Sequence, residues 1–184
     1  VSICCAMPGP NKGRKMTKLK RPIRICGDVA YVPLTQGYEA IIDAADVPLV
    51  CGFNWHACPA PGTLYANRTD YSKNNQVTVA MHRIIMSQPK GLMIDHQDGN
   101  GLNNRRNNLR LATSSQNNCN SRIRIDNTSG LKGIFLVKKT GKWRARITVN
   151  KKENHLGYFL SKKEAYAAYC AASDKYHGEF GRTE

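Results

Sequence analysis

Residues 95 to 117 read DHQDGNGLNNRRNNLRLATSSQN, a stretch that gathers an Asp-His pair, a loop rich in Gly and Asn, and spaced asparagines. Asp95 is a hard oxygen donor of the kind Mg²⁺ selects, His96 is suited to take a proton from water near neutral pH, and Asn117 offers a neutral carbonyl oxygen as a second ligand. Placed around one phosphate, these three groups have the chemistry of metal-assisted phosphodiester cleavage.

The surrounding residues state how the three are positioned. The run from Gly99 to Asn108 is too rich in Gly and Asn for a helix or central strand, so it reads as a compact loop that folds the Asp-His pair back towards Asn117. Leu92 to Ile94 fit a first short strand and Leu109 to Ala112 a second. Thr113 to Gln116 (TSSQ) form a capping box that opens a helix carrying Asn117. Neighbours on a regular strand point to opposite faces, so Asp95 and His96 are expected to share a site only if the strand ends or bulges between them.

His96, Asn108 twelve residues later and Asn117 nine beyond it, with His82-Arg83 upstream, resemble the HNH endonucleases in their phage and intron homing branch. The resemblance implies a ββα-metal core in which Asp95 and Asn117 hold the metal, His96 is the general base, and Asn108 braces the loop and orients the histidine. The last residue of the family's name is Asn here instead of His. That change favours Mg²⁺, with Mn²⁺ as an alternative, over Zn²⁺. His82 lies among Val77, Val79, Met81, Ile84 and Ile85, a buried strand passing into a helix, where a lone His is usually structural. A contact from Arg83 to the DNA backbone or the catalytic loop is the functional alternative.

Residues 129 to 184 form a second block, with period-two patterning over 133–137, 143–149 and 154–159 and short turns between. Ser161 to Glu164 (SKKE) form another capping box. The helix it opens presents Ala165, Ala168, Tyr169, Ala172 and Tyr176 on one face before Gly178 ends it. KGIF, GKWRARI, HLGYF and EAYAAY are similar to the ethylene-response-factor (Apetala-two type) DNA-binding domain. That resemblance implies a sheet face lying in the major groove, here with Lys138, Lys142, Trp143, Arg144, Arg146 and Lys152, although Trp143 fits packing against the strands better than stacking on a base. Phe135, Leu136 and Val137 stand where plant members have more polar residues.

The fold expected is therefore α+β: a ββα-metal nuclease core at 91–120 with a mixed N-terminal lobe at 25–90, and a three-stranded antiparallel sheet with one packed helix at 131–184. A linker at 121–130 joins them. Arg122 and Arg124 on that linker could reach phosphates or a minor groove, or could simply be solvated; Arg105 and Arg106 in the loop are further candidate DNA contacts. The 184 residues carry a net charge of +15, of which 1–25 contribute +7, 26–91 contribute −1, 92–130 contribute +2 and 131–184 contribute +7. A polyanionic partner fits this balance. Residues 1–24 hold seven basic side chains and no acidic one, and read as a disordered tail that is either a nucleic-acid-binding arm or a stretch ahead of a start at Met16.

No apolar run approaches the roughly 20 residues of a membrane span. The seven scattered cysteines contain no CxxC pair, which suits a reduced cytoplasmic chain, nucleoid-associated in a bacterial or phage-infected cell, without the structural zinc of some relatives. His56 reads as structural, since nothing around it has metal spacing. The partner expected is double-stranded DNA, bound by a monomer or weak dimer that nicks one strand per site. The competing class is a non-enzymatic, sequence-specific DNA-binding regulator with a degenerate nuclease core. An RNA-directed enzyme is a third, disfavoured by a groove-reading sheet.

Overall fold

The computed structural model describes residues 20–71, 76–124 and 126–183. The tail expectation for 1–24 therefore falls mostly outside the described residues, and its last residue opens the first strand. Strands β1 (Arg24–Cys26), β2 (Val29–Pro33) and β3 (Glu39–Asp43) form an antiparallel meander. A 3-10 turn at Ala44–Asp46 leads into the single-turn helix α1 (Val47–Val50), started by a proline whose fixed φ suits a helix beginning. A second meander follows, with β4 (His56–Ala60), β5 (Thr63–Asp70) and β6 (Val77–Ala80), and β6 runs directly into α2 (Met81–Ile85).

The expected ββα unit comes next: β7 (Met93–His96) pairs antiparallel with β8 (Leu109–Ala112), and α3 (Ser114–Cys119) follows. The capping box at α3 is present in both directions, Thr113 Oγ1 accepting from Gln116 N and Gln116 Oε1 from Thr113 N. This unit has no core of its own. Ile94 and Leu109 are buried in one cluster with Val32, Ile42, Trp55, Met81 and Ile85, so the N-terminal lobe and the nuclease motif share a single interior.

The loop between β7 and β8 is fixed from outside and from within. Backbone bonds from Ile41 N to the Leu102 carbonyl and from Asn104 N to the Ile41 carbonyl tie it to β3. Gly101 fits because nothing larger would: a Cβ there would stand 2.4 Å from the Leu64 carbonyl oxygen and 2.5 Å from the Tyr65 ring.

A second core belongs to the C-terminal block. Strands β9 (Ile134–Val137), β10 (Lys142–Val149) and β11 (Lys152–Phe159) form an antiparallel sheet in the order β11-β10-β9. Helix α4 (Lys162–His177) covers it, so that Ile134, Ala145 and Ile147 meet Ala165, Tyr169 and Ala172. The expected α+β class holds throughout. One helix position differs from the expectation: Tyr176 is exposed, and Ser173, one turn before the helix end, is buried in its stead. Asn150 and Lys151 both have positive φ and make a two-residue hairpin whose twist matches the strands.

Gly101→Ala should lower the unfolding free energy by about 1–3 kcal/mol, the usual range for overpacking. Urea denaturation of the two proteins measures this, and equal midpoints would show that the loop does not lie tight under the β4–β5 hairpin.

Candidate active site

Asp95, His96 and Asn117 line one cleft of about 230 Å³, closed on one side by the β4–β5 hairpin through Gly62, Thr63 and Tyr65 and on another by Asn120 and Arg122. The expected strand irregularity between Asp95 and His96 is absent. Strand β7 pairs in unbroken register through Asp95↔Arg110 and His96↔Leu109. The two side chains leave opposite faces at the strand's end, where one cleft reaches both.

Asp95 is only 4% exposed. A buried carboxylate is costly unless donors compensate it, and here each oxygen has one. Oδ2 accepts from Arg110 Nε at 2.9 Å, and Oδ1 accepts from Asn120 Nδ2 at 2.9 Å. The same Asn120 amide donates to the His96 carbonyl at 2.8 Å, tying α3 to β7. Carboxylate oxygens carry two lone pairs each, so both retain capacity for a cation. Asn117 is half-buried on α3, and among the described residues no hydrogen bond engages its side chain. A carboxylate and a neutral amide oxygen facing one cleft suit a hard divalent ion.

His96 is buried and faces Asn104, with Nε2 3.4 Å from Asn104 Oδ1. The Asn104 amide nitrogen already donates to the carbonyls of Gly101 and Leu102. Its oxygen is thus the end facing the imidazole, Nε2 carries the proton, and Nδ1 keeps a lone pair. The sequence expectation gave this orienting role to Asn108, and that is corrected. Asn108 braces the loop alone: Oδ1 accepts from Asp98 N at 3.1 Å, and Nδ2 donates to Asp98 Oδ1 at 3.0 Å and to the Asn103 carbonyl at 2.8 Å. Burial pushes the His96 proton affinity below its ordinary range, against the opposing pull of the Asn104 bond and of Asp98 and Asp95.

His82 and Tyr65 wall the imidazole. The rings of His82 and His96 meet edge-on with centroids 5.0 Å apart, and Tyr65 stands 5.6 Å from each. His82 Nδ1 is buried with no partner among the described residues. Burial, and secondarily the charges of His96 and Arg83, hold the His82 pKa down to about 3. Its structural reading is the one the packing favours, while Arg83 is exposed on α2. The Tyr65 phenol is pushed up by burial and by Asp95, so it stays a neutral hydroxyl on the cleft wall.

Several candidate DNA contacts have partners within the chain. Arg105 reaches Asp43 at 2.8 Å and Asp28 at 2.7 Å, and Arg106 reaches the buried Asp46 at 2.7 Å while its backbone N–H donates to Asp43. These two arginines fasten the loop to the N-terminal lobe. Arg122 donates to the carbonyls of Gly62 and Gly99, bridging the hairpin to the catalytic loop, and Arg124 pairs with Asp126 in solvent.

On the C-terminal sheet, alternation puts Lys142, Arg144 and Arg146 on the face away from α4, around Phe135. Glu153 accepts from Arg144 at 2.8 Å and also from Arg146. Trp143 lies on the helix side, half-buried against the second core with Lys162 over its ring, and Lys152 stands opposite Val149 at the hairpin tip on that same side. Parity along the strands accounts for both placements: Trp143 packs against the strands as expected, and Lys152 leaves the outer face on which the resemblance set it. Lys138 is exposed just beyond β9. Arg110, Asn104, Asn120 and Tyr65 were missed in the sequence. Only the cross-strand place of Arg110 opposite Asp95 could have been read from the two short strands, once their register was assumed.

Residues 79–119, which hold α2 and the whole ββα unit, match the family model for HNH endonucleases. The chain therefore carries an HNH endonuclease domain. It is 40% identical over 96 residues to Protein 3.8 of Escherichia phage T7, covering 51% of this chain and 77% of that one, and it belongs to that protein's family. It is also 25% identical over 187 residues to an uncharacterized HNH endonuclease of Acanthamoeba polyphaga mimivirus, with 92% of both chains covered. No solved structure matches.

Because the unfolded chain protonates His82 near pH 6.5 whereas the folded one resists until about 3, stability is lost as pH falls through this window. The buried His96 adds to the same trend. Unfolding free energy measured from neutral pH down to roughly pH 5 should decline less steeply in His82→Leu than in the wild type. Parallel declines would mean that His82 takes up its proton in the folded state.

Proposed function

We propose that the protein is a metal-dependent DNA endonuclease of the HNH homing type that nicks duplex DNA, with the C-terminal sheet choosing the site. The observation that carries this reading is the convergence of Asp95, His96 and Asn117 on one cleft with the Nδ1 lone pair of His96 free to accept a proton.

Asp95 and Asn117 are the residues that would hold Mg²⁺, or Mn²⁺ in its place. Such an ion supplies positive charge that offsets the negative charge developing on the phosphate and the leaving 3′ oxygen. His96 accepts a proton from the attacking water, whose oxygen forms the new bond to phosphorus while the bond to the 3′ oxygen breaks; the departing oxygen is then protonated from solvent. Asn104 keeps the imidazole in the tautomer that this step requires, and Asn120 with Arg110 keeps the Asp95 carboxyl aimed. One cleft per chain acts on one strand, so a monomer nicks, and a double-strand break needs a second copy.

The sheet's outer face supports DNA recognition by charge and shape. Arg144 and Arg146 flank Phe135, with exposed Tyr158 and His155 beside them, and a short antiparallel ribbon fits a major groove. The sequence similarity to ethylene-response-factor domains adds to this reading. Glu153 competes with the phosphates for both arginines.

Supercoiled plasmid incubated with protein and Mg²⁺ should yield open circles, which EDTA abolishes. His96→Ala and Asn117→Ala should each lose at least about 100-fold in rate, as expected on losing a general base or a metal ligand. Unimpaired variants would refute the site. The wild-type rate should rise with pH to a plateau, its midpoint lying below the ordinary histidine value of 6.5 because the active imidazole is the neutral one. In gel shifts, Arg144→Ala with Arg146→Ala should weaken binding and flatten its salt dependence, whereas Glu153→Gln should tighten it. Unchanged affinity in all of these would move recognition off the sheet.

A further inference from the structure

We propose that the segment following α4, from Gly178 to Arg182, is a positioning part of the catalytic centre, with Phe180 acting on Asp95 through Arg110. The inference rests on the nuclease reading above and extends it, since the C-terminal block would then serve the chemistry as well as the choice of site.

The contacts form one continuous chain. The guanidinium of Arg110 lies 3.9 Å from the centroid of the Phe180 ring, and Phe180 is 7% exposed. The same guanidinium donates through Nη1 to the Glu179 carbonyl at 2.7 Å and through Nε to Asp95 Oδ2 at 2.9 Å. Arg110 therefore has one face on an aromatic ring and two edges on acceptors, one in each block. An arginine on a flexible stem carries much rotamer freedom, and stacking with a planar hydrogen-bond fork removes it. What the fork then fixes is the carboxylate of the expected metal ligand. A second contact from this segment points the same way: Arg182 Nη1 donates to the Asp98 carbonyl at 3.2 Å, over Gly99, where a Cβ would stand 2.4 Å from that nitrogen. The segment thus touches both the β8 side chain that holds Asp95 and the loop that follows His96.

Packing alone would call for an apolar plug at position 180, and a leucine would serve. Positioning calls for a flat π face under the guanidinium. The two readings separate in the full-length protein carrying Phe180→Leu or Phe180→Tyr, with thermal melting as the check on folding. Three quantities are compared: Mn²⁺ bound by the free protein, read by electron paramagnetic resonance; cleavage rate at saturating DNA; and DNA affinity in EDTA. Phe180→Leu should weaken Mn²⁺ binding and slow saturated cleavage by about tenfold, the lower end of what losing a partner of a metal ligand costs. Its DNA affinity should stay within about twofold, and Phe180→Tyr should match the wild type in all three, because the ring is retained. Wild-type Mn²⁺ binding and saturated rate in Phe180→Leu, or an equal loss in Phe180→Tyr, would overturn the proposal. Should Phe180→Leu fail to fold, Arg110→Lys carries the test: it keeps a cation near Asp95 but loses the fork and the stacking plane, and it should show the same losses. A wild type that shifts DNA but neither binds Mn²⁺ nor cleaves would sink the nuclease reading itself, whereas a cleaving wild type with an indifferent Phe180→Leu would sink only this inference.

Discussion

A carboxylate taken almost wholly out of water must be compensated, and the arrangement around Asp95 follows from that constraint. Its two donors come from different elements: Arg110 from the partner strand β8 and Asn120 from the end of α3. Satisfying one side chain therefore fixes the register of the hairpin and the approach of the helix. Register in a two-stranded ribbon is otherwise weakly determined, because few side chains specify it. Here Asp95 opposite Arg110 specifies it by charge, and Ile94 and Leu109 specify it by burial. The helix is then held where Asn117, three residues before Asn120, opens onto the cleft.

The loop that follows His96 solves a different problem. It has no ladder to satisfy its backbone, so its asparagines and Asp98 supply the missing partners: Asn108 with Asp98 and Asn103, Asn100 with Leu102, and Asn104 with Gly101 and Leu102. Outside bonds come from Asp28, Asp43 and Asp46, which take Arg105 and Arg106. Three of the five acidic residues between 26 and 91 are thus committed to holding the loop, while Glu39 and Asp70 pair with Arg24 and Arg68 within the lobe.

How much of this was legible in the sequence depends on the range of each interaction. Capping boxes at Thr113 and Ser161, the second nuclease strand and the three-strand-plus-helix block are local patterns, and each appears where those patterns put it. Alternation also puts Trp143 on the helix side, since Ala145, Ile147 and Val149 share its parity. The part that could not be read was which amide does what. Asn104, Asn108 and Asn120 are the same residue type within seventeen positions, and only the fold separates a bond to His96, a brace on Asp98 and a tie to Asp95. Arg110 and Arg106 are likewise indistinguishable by composition, yet one meets a cleft carboxylate and the other a lobe carboxylate. The strand through Asp95 and His96 stays regular for a reason equally invisible in one dimension: the cleft wraps the strand's end, so opposite faces reach the same space.

Burial separates two kinds of paired arginine in this chain. Arg144 and Arg146 are partly exposed, and their pairing with Glu153 is a surface pairing, worth little in water and screened by salt. Such a pair is easily exchanged for another anion, so the face behaves as a basic surface despite the acid in its middle. Arg110 is 13% exposed and its partner Asp95 5% by side chain. Breaking that pair would strand a buried charge, which is far more costly than making the pair is favourable. A guanidinium so placed is fixed by its acceptors. Chemically identical groups thus differ in how readily they exchange partners, according to how much water each retains.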